Sequence, residues 1–141
     1  MLALRLVVST NILVSAALTP RGLQRTTFLL AVTRPARLYL SLPILREYVT
    51  VLSRPELKIP RSERFRLLQL LKTRGFLIAP RRHLEVTSDP DDNMFVECAE
   101  AARADYLITG NQKHFPRFWK QTKVITSREF VEIAAPHLLL R

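Results

Sequence analysis

The sequence contains one cysteine, Cys98, only three glycines and no long apolar run. A single cysteine excludes an intramolecular disulfide and a metal site built on paired cysteines, which is typical of proteins from a reducing compartment. The apolar stretch at 12–18 is too short to span a bilayer. We therefore expect a cytoplasmic protein without a membrane partner.

Acidic residues are also scarce, because twelve Asp and Glu stand against twenty-two Lys and Arg, for a net charge of +10. A domain this basic suits a polyanion, since each neutralised phosphate releases condensed counterions. A generally basic, soluble surface is the alternative explanation. The acids cluster between 89 and 100, which suggests a metal site that faces a phosphate backbone. The clustered acids are Asp89, Asp91, Asp92, Glu97 and Glu100.

The length of 141 residues suits one core, so we predict a single domain over 1–141. Short apolar strands alternate with amphipathic helices, which implies an α/β fold with a mostly parallel sheet between helices. The predicted strands are 4–8, 36–41, 76–79, 84–87, 105–109 and 123–126. The predicted helices are 12–18, 23–34, 42–52, 62–75 with Ser62 as N-cap, 88–104, and 127–135 with Ser127 as N-cap.

Four segments place polar residues where such a fold binds ligands, which is beyond the carboxyl ends of the strands or at helix starts. They are Ser9-Thr10-Asn11, Glu47 in a helix, DPDDN (89–93) and TGNQKHF (109–115). Each also has an ordinary structural explanation: STN and DPDDN are helix-start sequences, TGN is turn chemistry, and Glu47 fits an exposed helical acid. The residues alone leave both readings open.

In this order, the four segments resemble the PIN domain, a metal-dependent ribonuclease fold found in many bacterial toxin–antitoxin toxins. The resemblance covers about residues 5–134. The family follows its first strand with Asp-Thr-Asn, where this chain has VVSTN, and it places a Glu before a VLxRP stretch, here REYVTVLSRP. The longest match, DPDDNMFVECAEAARADYLITGNQKHFP, is similar to the toxin branch. The resemblance implies a three-layer PIN-like fold, with a central mostly parallel sheet flanked by helices.

The resemblance also implies a catalytic site that holds one or two Mg²⁺ or Mn²⁺ ions. Glu47 and Asp92 are then metal carboxylates, and Asp92 is preferred because it precedes the core pair at 95 and 96 by three and four residues, as the family's acid does. Asp89 and Asp91 become supplementary ligands or helix caps. The implied catalytic residues are Ser9, Asn11, Glu47, Asp92 and Asn111, with Arg25 and Lys113 as contacts to RNA phosphates.

Within this pattern Asn11 orients the site and Asn111 stands where other branches place a fourth acid. The chain departs from the family at Ser9, where the first Asp is expected, and a serine hydroxyl is a neutral, weaker ligand. Three explanations remain open: Asp89 or Asp91 replaces the missing oxygen, the protein is an inactive PIN domain that binds RNA or a partner, or Ser9 is an introduced change that disarms a nuclease. A plain α/β domain whose acids only cap helices is a further alternative.

The expected function is metal-dependent hydrolysis of RNA phosphodiesters, impaired by Ser9, in the toxin of a toxin–antitoxin pair. The alternative is a catalytically inactive PIN domain that binds RNA or an antitoxin. The resemblance implies RNA, an antitoxin protein and a second copy of the chain as partners. Apolar positions within 12–18 and 42–52 suit either a partner surface or the core.

Overall fold

The computed structural model describes residues 3–140. The predicted domain 1–141 also includes Met1, Leu2 and Arg141, which lie outside the described residues. Six α-helices are found in the described range: α1 Thr10–Leu18, α2 Leu23–Ala31, α3 Leu42–Leu52, α4 Arg61–Arg74, α5 Pro90–Ala102 and α6 Ser127–Ala134. The strands in the same range are β1 Arg5–Val8, β2 Arg37–Leu40, β3 Phe76–Leu77, β4 Tyr106–Ile108, β5 Phe118–Trp119 and β6 Thr122–Ile125.

The strands form one sheet in the order β3-β2-β1-β4-β6-β5, and only β5 runs antiparallel to its neighbour. The central strand β1 is parallel to both β2 and β4, with Val8 in register with Ile108. This confirms the predicted α/β class with a mostly parallel sheet. Because β1 and β4 are adjacent and parallel, their carboxyl ends lie side by side, although about 100 residues separate them along the chain.

The core explains why the central strands read as continuous apolar runs. Leu6, Val7 and Val8 have no exposed surface, which is expected of a strand covered by helices on both faces. Helix α5 packs on β1, β2 and β4, while α1 packs on α2 and α3. The result is the predicted three-layer arrangement.

Three local features differ from the prediction. The segment 84–87 is not a strand, because side chains of α5 bind its main-chain N–H groups: Glu97 accepts from Leu84 at 2.8 Å, and Asn93 Oδ1 accepts from Val86 at 3.1 Å. The short edge strand β5 was not predicted. Helix α4 begins at Arg61 rather than after Ser62.

The N-cap of α6 also differs from the prediction. Thr126, not Ser127, caps the helix, since its side chain accepts from the Glu129 N–H at 3.2 Å and Glu129 returns a bond to the Thr126 N–H at 3.1 Å. This reciprocal pair satisfies two otherwise unpaired donors of the first turn.

Candidate active site at the carboxyl edge of the sheet

The candidate site begins where β1 and β4 end. The main-chain N–H of Ser9 donates to the Ile108 carbonyl at 3.0 Å, which continues the β1–β4 ladder one residue past the strand. The segments 9–11 and 109–111 are therefore neighbours. This places the two strand-end motifs of the sequence in one location.

A network of neutral side chains joins these two segments. Ser9 Oγ lies 2.9 Å from Asn11 Oδ1 and 2.9 Å from Thr109 Oγ1. Asn11 Oδ1 also accepts the Gly110 N–H at 3.0 Å, so Asn11 ties the end of β1 to the turn after β4. Ser9 is 3% exposed, and its hydroxyl is used within this network.

The same network shows what Ser9 does not do. Ser9 occupies the N-cap position of α1, but its side chain makes no capping hydrogen bond. The capping explanation for this polar cluster therefore fails for the Ser9 side chain. Asn111 is exposed, and its main-chain N–H donates to Thr109 Oγ1 at 3.1 Å, which places Asn111 next to Ser9 across one shared partner.

Helix α3 brings Glu47 to the side of the sheet where the parallel strands end, which we call the carboxyl edge. The buried hydroxyl of Tyr48 donates to the carbonyl of Val8, the last residue of β1, and so fixes this turn of α3 against the strand end. The hydroxyl of Thr10, the first residue of α1, lies 3.5 Å from Glu47 Oε2. Sequence reasoning found Glu47 but missed Tyr48, although a tyrosine in an apolar helix face signals a buried hydroxyl that needs a partner.

Tyr48→Phe tests this anchor. We expect the free energy of unfolding to fall by about 1–3 kcal/mol, because the Val8 carbonyl loses a buried donor. Urea denaturation measures the change. Tyr106→Phe is the matched control, since the Tyr106 hydroxyl makes no hydrogen bond with the described residues. Equal stability of the two variants would contradict the anchoring role.

Helix α5 supplies the acids of DPDDN. Asp89 is the N-cap, and its side chain accepts from the Asp91 N–H at 3.0 Å, so one of its two predicted roles, capping, is observed. Asp91 is exposed. Asp92 Oδ2 is shut off from solvent and makes no hydrogen bond, and Nδ1 of the His114 imidazole lies 3.4 Å away.

Asn93 holds the loop before α5 in place, a role that sequence reasoning missed. Its Oδ1 accepts from the N–H groups of Val86 and Thr87 at 3.1 Å and 2.9 Å, and from the Thr87 hydroxyl at 2.8 Å. A single buried amide thus satisfies three donors of an otherwise irregular segment. The start of α5, and with it Asp92, is fixed against this loop.

The carboxylates at this edge disfavour one another's charge. Partial burial and the neighbouring charge of Asp91 raise the pKa of Glu47 above its usual value, and the charge of Asp92 raises it further. The Thr10 hydroxyl and Arg54 lower the pKa of Glu47, but by less. Partial burial, followed by the charge of Asp89, raises the pKa of Asp92, while His114 acts in the opposite direction. A positive charge placed between Glu47 and Asp92 would lower the pKa of both carboxyl groups.

The raised pKa of Asp92 gives a pH prediction for the metal-free protein. Between the ordinary and the raised pKa, the folded state binds more protons than the unfolded state, so stability falls as pH rises through that window. We expect Asp92→Asn in EDTA to unfold at a higher temperature than wild type at pH 7. The difference should vanish at about pH 3 and below, where Asp92 is mostly protonated in both states. Thermal melts across this range measure it, and a lower melting temperature at pH 7 would contradict it.

The donor set fits a divalent cation only in part. Mg²⁺ and Mn²⁺ prefer oxygen ligands and retain water. Asp92 Oδ2 is a buried carboxylate oxygen without a partner, and Glu47 is a second carboxylate at the same edge. Within residues 3–140, no three His, Cys, Asp or Glu side chains lie close enough together to surround a metal ion. The residues therefore fit a cation held by two carboxylates and water.

The two residues predicted to contact RNA phosphates, Lys113 and Arg25, lie in different surroundings. Lys113 is exposed in the short helical turn after Asn111, at the edge of the candidate site. Arg25 is 8% exposed, and its guanidinium donates to the Ala16 carbonyl and to Glu63 Oε2, both at 3.1 Å. The Arg25 guanidinium thus holds α1, α2 and α4 together, and a phosphate contact at Arg25 stays a prediction.

A comparison with protein-family models decides the relationship that these features suggest. The model described as PIN domain matches residues 5–113, which is more than half of the chain and includes β1–β4 and every acid of the candidate site. The chain belongs to the PIN domain family. The PIN domain is a nuclease-type fold that usually uses divalent metal ions, and the family suggests RNA as substrate. A comparison with curated proteins found no match.

Two further observations bear on the PIN domain of this chain. The match ends at Lys113, so β5, β6 and α6 follow the matched region. Among the described residues, every helix is too short or too polar to cross a membrane.

Proposed function

We propose that this PIN domain is a ribonuclease that hydrolyses RNA phosphodiesters with Mg²⁺ or Mn²⁺. The supporting observation is the pair of carboxylates at the carboxyl edge, Glu47 and Asp92: burial and neighbouring acids raise the pKa of each, and Asp92 Oδ2 is buried without a hydrogen-bond partner. Such an arrangement is costly unless a cation neutralises it. A polar cap or surface acid would not need to be buried in this way.

Each residue at this edge has a proposed role. Glu47 and Asp92 hold the cation, and Asp91 and Asp89 supply negative charge beside them. The bound ion would lower the pKa of a water molecule and stabilise charge that develops on the phosphate. Asn11 keeps the two strand-end segments together through Gly110. Lys113 and the Asn111 amide, both exposed, are placed to contact the RNA backbone.

The PIN domain is further proposed to be a weak nuclease. At the corner where the family has its first Asp, Ser9 contributes no charge, and its hydroxyl is already hydrogen-bonded to Asn11 and Thr109. A lost charge-assisted contact costs about 1.5–3 kcal/mol, and each ~1.4 kcal/mol is a factor of ten. Both metal affinity and cleavage rate are therefore expected to be low.

The alternative is a PIN domain that binds RNA or an antitoxin without turnover. Its support is the neutral, self-contained Ser9 network and the lack of a three-ligand group within residues 3–140. The toxin role and the homodimer also remain proposals. Most apolar residues of α1 and α3 belong to the core, but Leu18, Leu42 and Val49 are 46%, 50% and 39% exposed and are available to a partner.

RNA cleavage tests the proposal. Purified chain is incubated with single-stranded RNA and Mn²⁺, beside the double variant Glu47→Gln/Asp92→Asn and the control Glu132→Gln, which changes an exposed acid of α6. We expect slow cleavage by wild type and by the control, loss in EDTA, and loss in the double variant. Equal cleavage by wild type and the double variant would refute the assignment. RNA binding without cleavage, even by the wild type, would favour the alternative.

A further inference from the structure

Arginines line the side of the sheet opposite the candidate site, at the amino ends of the parallel strands. The parallel strands begin at this edge, which is about 10–13 Å from the carboxyl edge along a four-residue strand. Arg5 and Arg37 start β1 and β2 in register, Arg34 precedes β2, and Arg74 ends α4 just before β3. Two surface cavities of about 560 and 450 Å³ open here.

The charged residues that line these two cavities are all arginines. Arg34 and Arg74 line the larger cavity, Arg5, Arg34 and Arg37 line the smaller, and Phe76 lines both, while neither cavity includes an Asp or Glu. Arg34, Arg37 and Arg74 are exposed and form no ion pair with any residue from 3 to 140. Neighbouring unpaired cations repel one another, so this concentration of charge favours an anionic ligand.

Aromatic rings alternate with the arginines on one face of the sheet. The Arg5 guanidinium lies 4.8 Å from the ring centroid of Tyr39, and the Arg37 guanidinium lies 5.3 Å from that of Phe76. The two rings are 5.5 Å apart. A guanidinium stacked on a ring keeps its in-plane N–H groups for another partner, and these groups match the geometry of a phosphate.

Helix C-termini explain only some of these cations. The Nε of Arg5 donates to the Ala102 carbonyl at 2.7 Å and so satisfies the end of α5, and Arg74 is favoured in the last turn of α4. Arg37 lies in a strand, and Arg34 follows the end of α2 by three residues. Neither guanidinium forms an ion pair within residues 3–140, and the only interaction of the Arg37 guanidinium found there is with the Phe76 ring.

We propose that Arg34, Arg37 and Arg74, with Phe76, form a second binding site for the phosphate backbone of single-stranded RNA. This inference rests on the proposed function for its choice of RNA. Separate cations in two adjoining concave cavities fit successive phosphates of a flexible strand better than they fit a flat bilayer. A long RNA bound at this edge and continuing around the sheet would reach the carboxyl edge, so the second site would retain substrate near the acids.

Binding in EDTA tests the second site, because no cleavage is needed. Fluorescence anisotropy with a labelled 20-nucleotide RNA compares wild type, the variant Arg34→Gln/Arg37→Gln/Arg74→Gln, and the control Arg21→Gln/Arg61→Gln/Arg128→Gln. The control removes the same charge at exposed positions outside both cavities. We expect about a tenfold or larger loss of affinity in the first variant, a salt slope smaller by about 2, and little change in the control.

Equal losses in the two triple variants would overturn the proposal, since only net charge would then matter. Arg34→Lys/Arg37→Lys/Arg74→Lys keeps the three charges but not the guanidinium geometry, so we expect a smaller loss of affinity than in the glutamine variant. Cross-linking of wild type to 4-thiouridine RNA needs no variant: adducts within 34–37 or 74–77 support the site, and adducts confined to other segments overturn it. Tighter binding of anionic vesicles than of RNA would also overturn it. Absence of cleavage with Mn²⁺ would count against the proposed function, but the binding experiments in EDTA would still test the second site.

Discussion

Ser9→Asp is expected to bind Mn²⁺ about 10- to 100-fold more tightly than the wild-type chain and to cut RNA correspondingly faster. The variant places a third carboxylate at the edge that already holds Glu47 and Asp92, and one charge-assisted contact is worth about 1.5–3 kcal/mol. Titration calorimetry measures the affinity, and initial rates on single-stranded RNA measure the cleavage.

The same substitution should destabilise the metal-free protein. Ser9 is buried and bonded to Asn11 Oδ1, an acceptor that the Gly110 N–H also uses. An aspartate there would face another acceptor, so we expect a lower melting temperature in EDTA and a marked rise with Mn²⁺, because binding stabilises the folded state. Ser9→Asn is the control, because asparagine has the size of aspartate without its charge. We expect its melting temperature to fall in EDTA and not to rise with Mn²⁺. Equal Mn²⁺ affinity in the two variants would refute the role given to this position.

Asp92→Asn is expected to lower metal-dependent cleavage by about 100-fold or more. It removes a carboxylate oxygen that is buried without a hydrogen-bond partner, and a loss of about 3 kcal/mol corresponds to two powers of ten. The variant keeps the size of the side chain. Multiple-turnover rates at several Mn²⁺ concentrations separate weaker metal binding from a slower reaction.

Asp89→Asn is the matched control for Asp92→Asn, since both change one acid of the same motif. Asp89 is exposed and caps α5, and asparagine caps helices as well as aspartate does. Cleavage should therefore fall only slightly in this variant, with stability almost unchanged. A larger loss at Asp89 than at Asp92 would show that the motif holds the cation by a different acid from the one chosen by its spacing.

Sequence reasoning predicted the parts of the fold that follow from local pattern. The buried strand at β1, the α5 start at DPDDN and the strand before TGN each carry their own signal, because a parallel core strand is apolar throughout and Asp-Pro favours a helix start. The adjacency of β1 and β4, which was not predicted, then places Ser9 near Asn111.

The remaining features depend on contacts between distant segments, which a local pattern does not contain. Arg25 has the sequence context of a surface cation, and only the packing of α1, α2 and α4 shows that its guanidinium is bound. The segment 84–87 alternates like a strand, but Asn93 takes its N–H groups. The bonding of Ser9 to Thr109 joins residues 100 positions apart.

The proposed function depends most on whether Glu47 and Asp92 hold a divalent cation at the carboxyl edge. The most direct measurement is a calorimetric titration of Mn²⁺ into the wild-type chain and into Glu47→Gln/Asp92→Asn, with Ser9→Asp beside them. We predict weak binding to wild type, none to the double variant, and tighter binding to Ser9→Asp. Binding of equal strength to wild type and the double variant, or none to either wild type or Ser9→Asp, would contradict it.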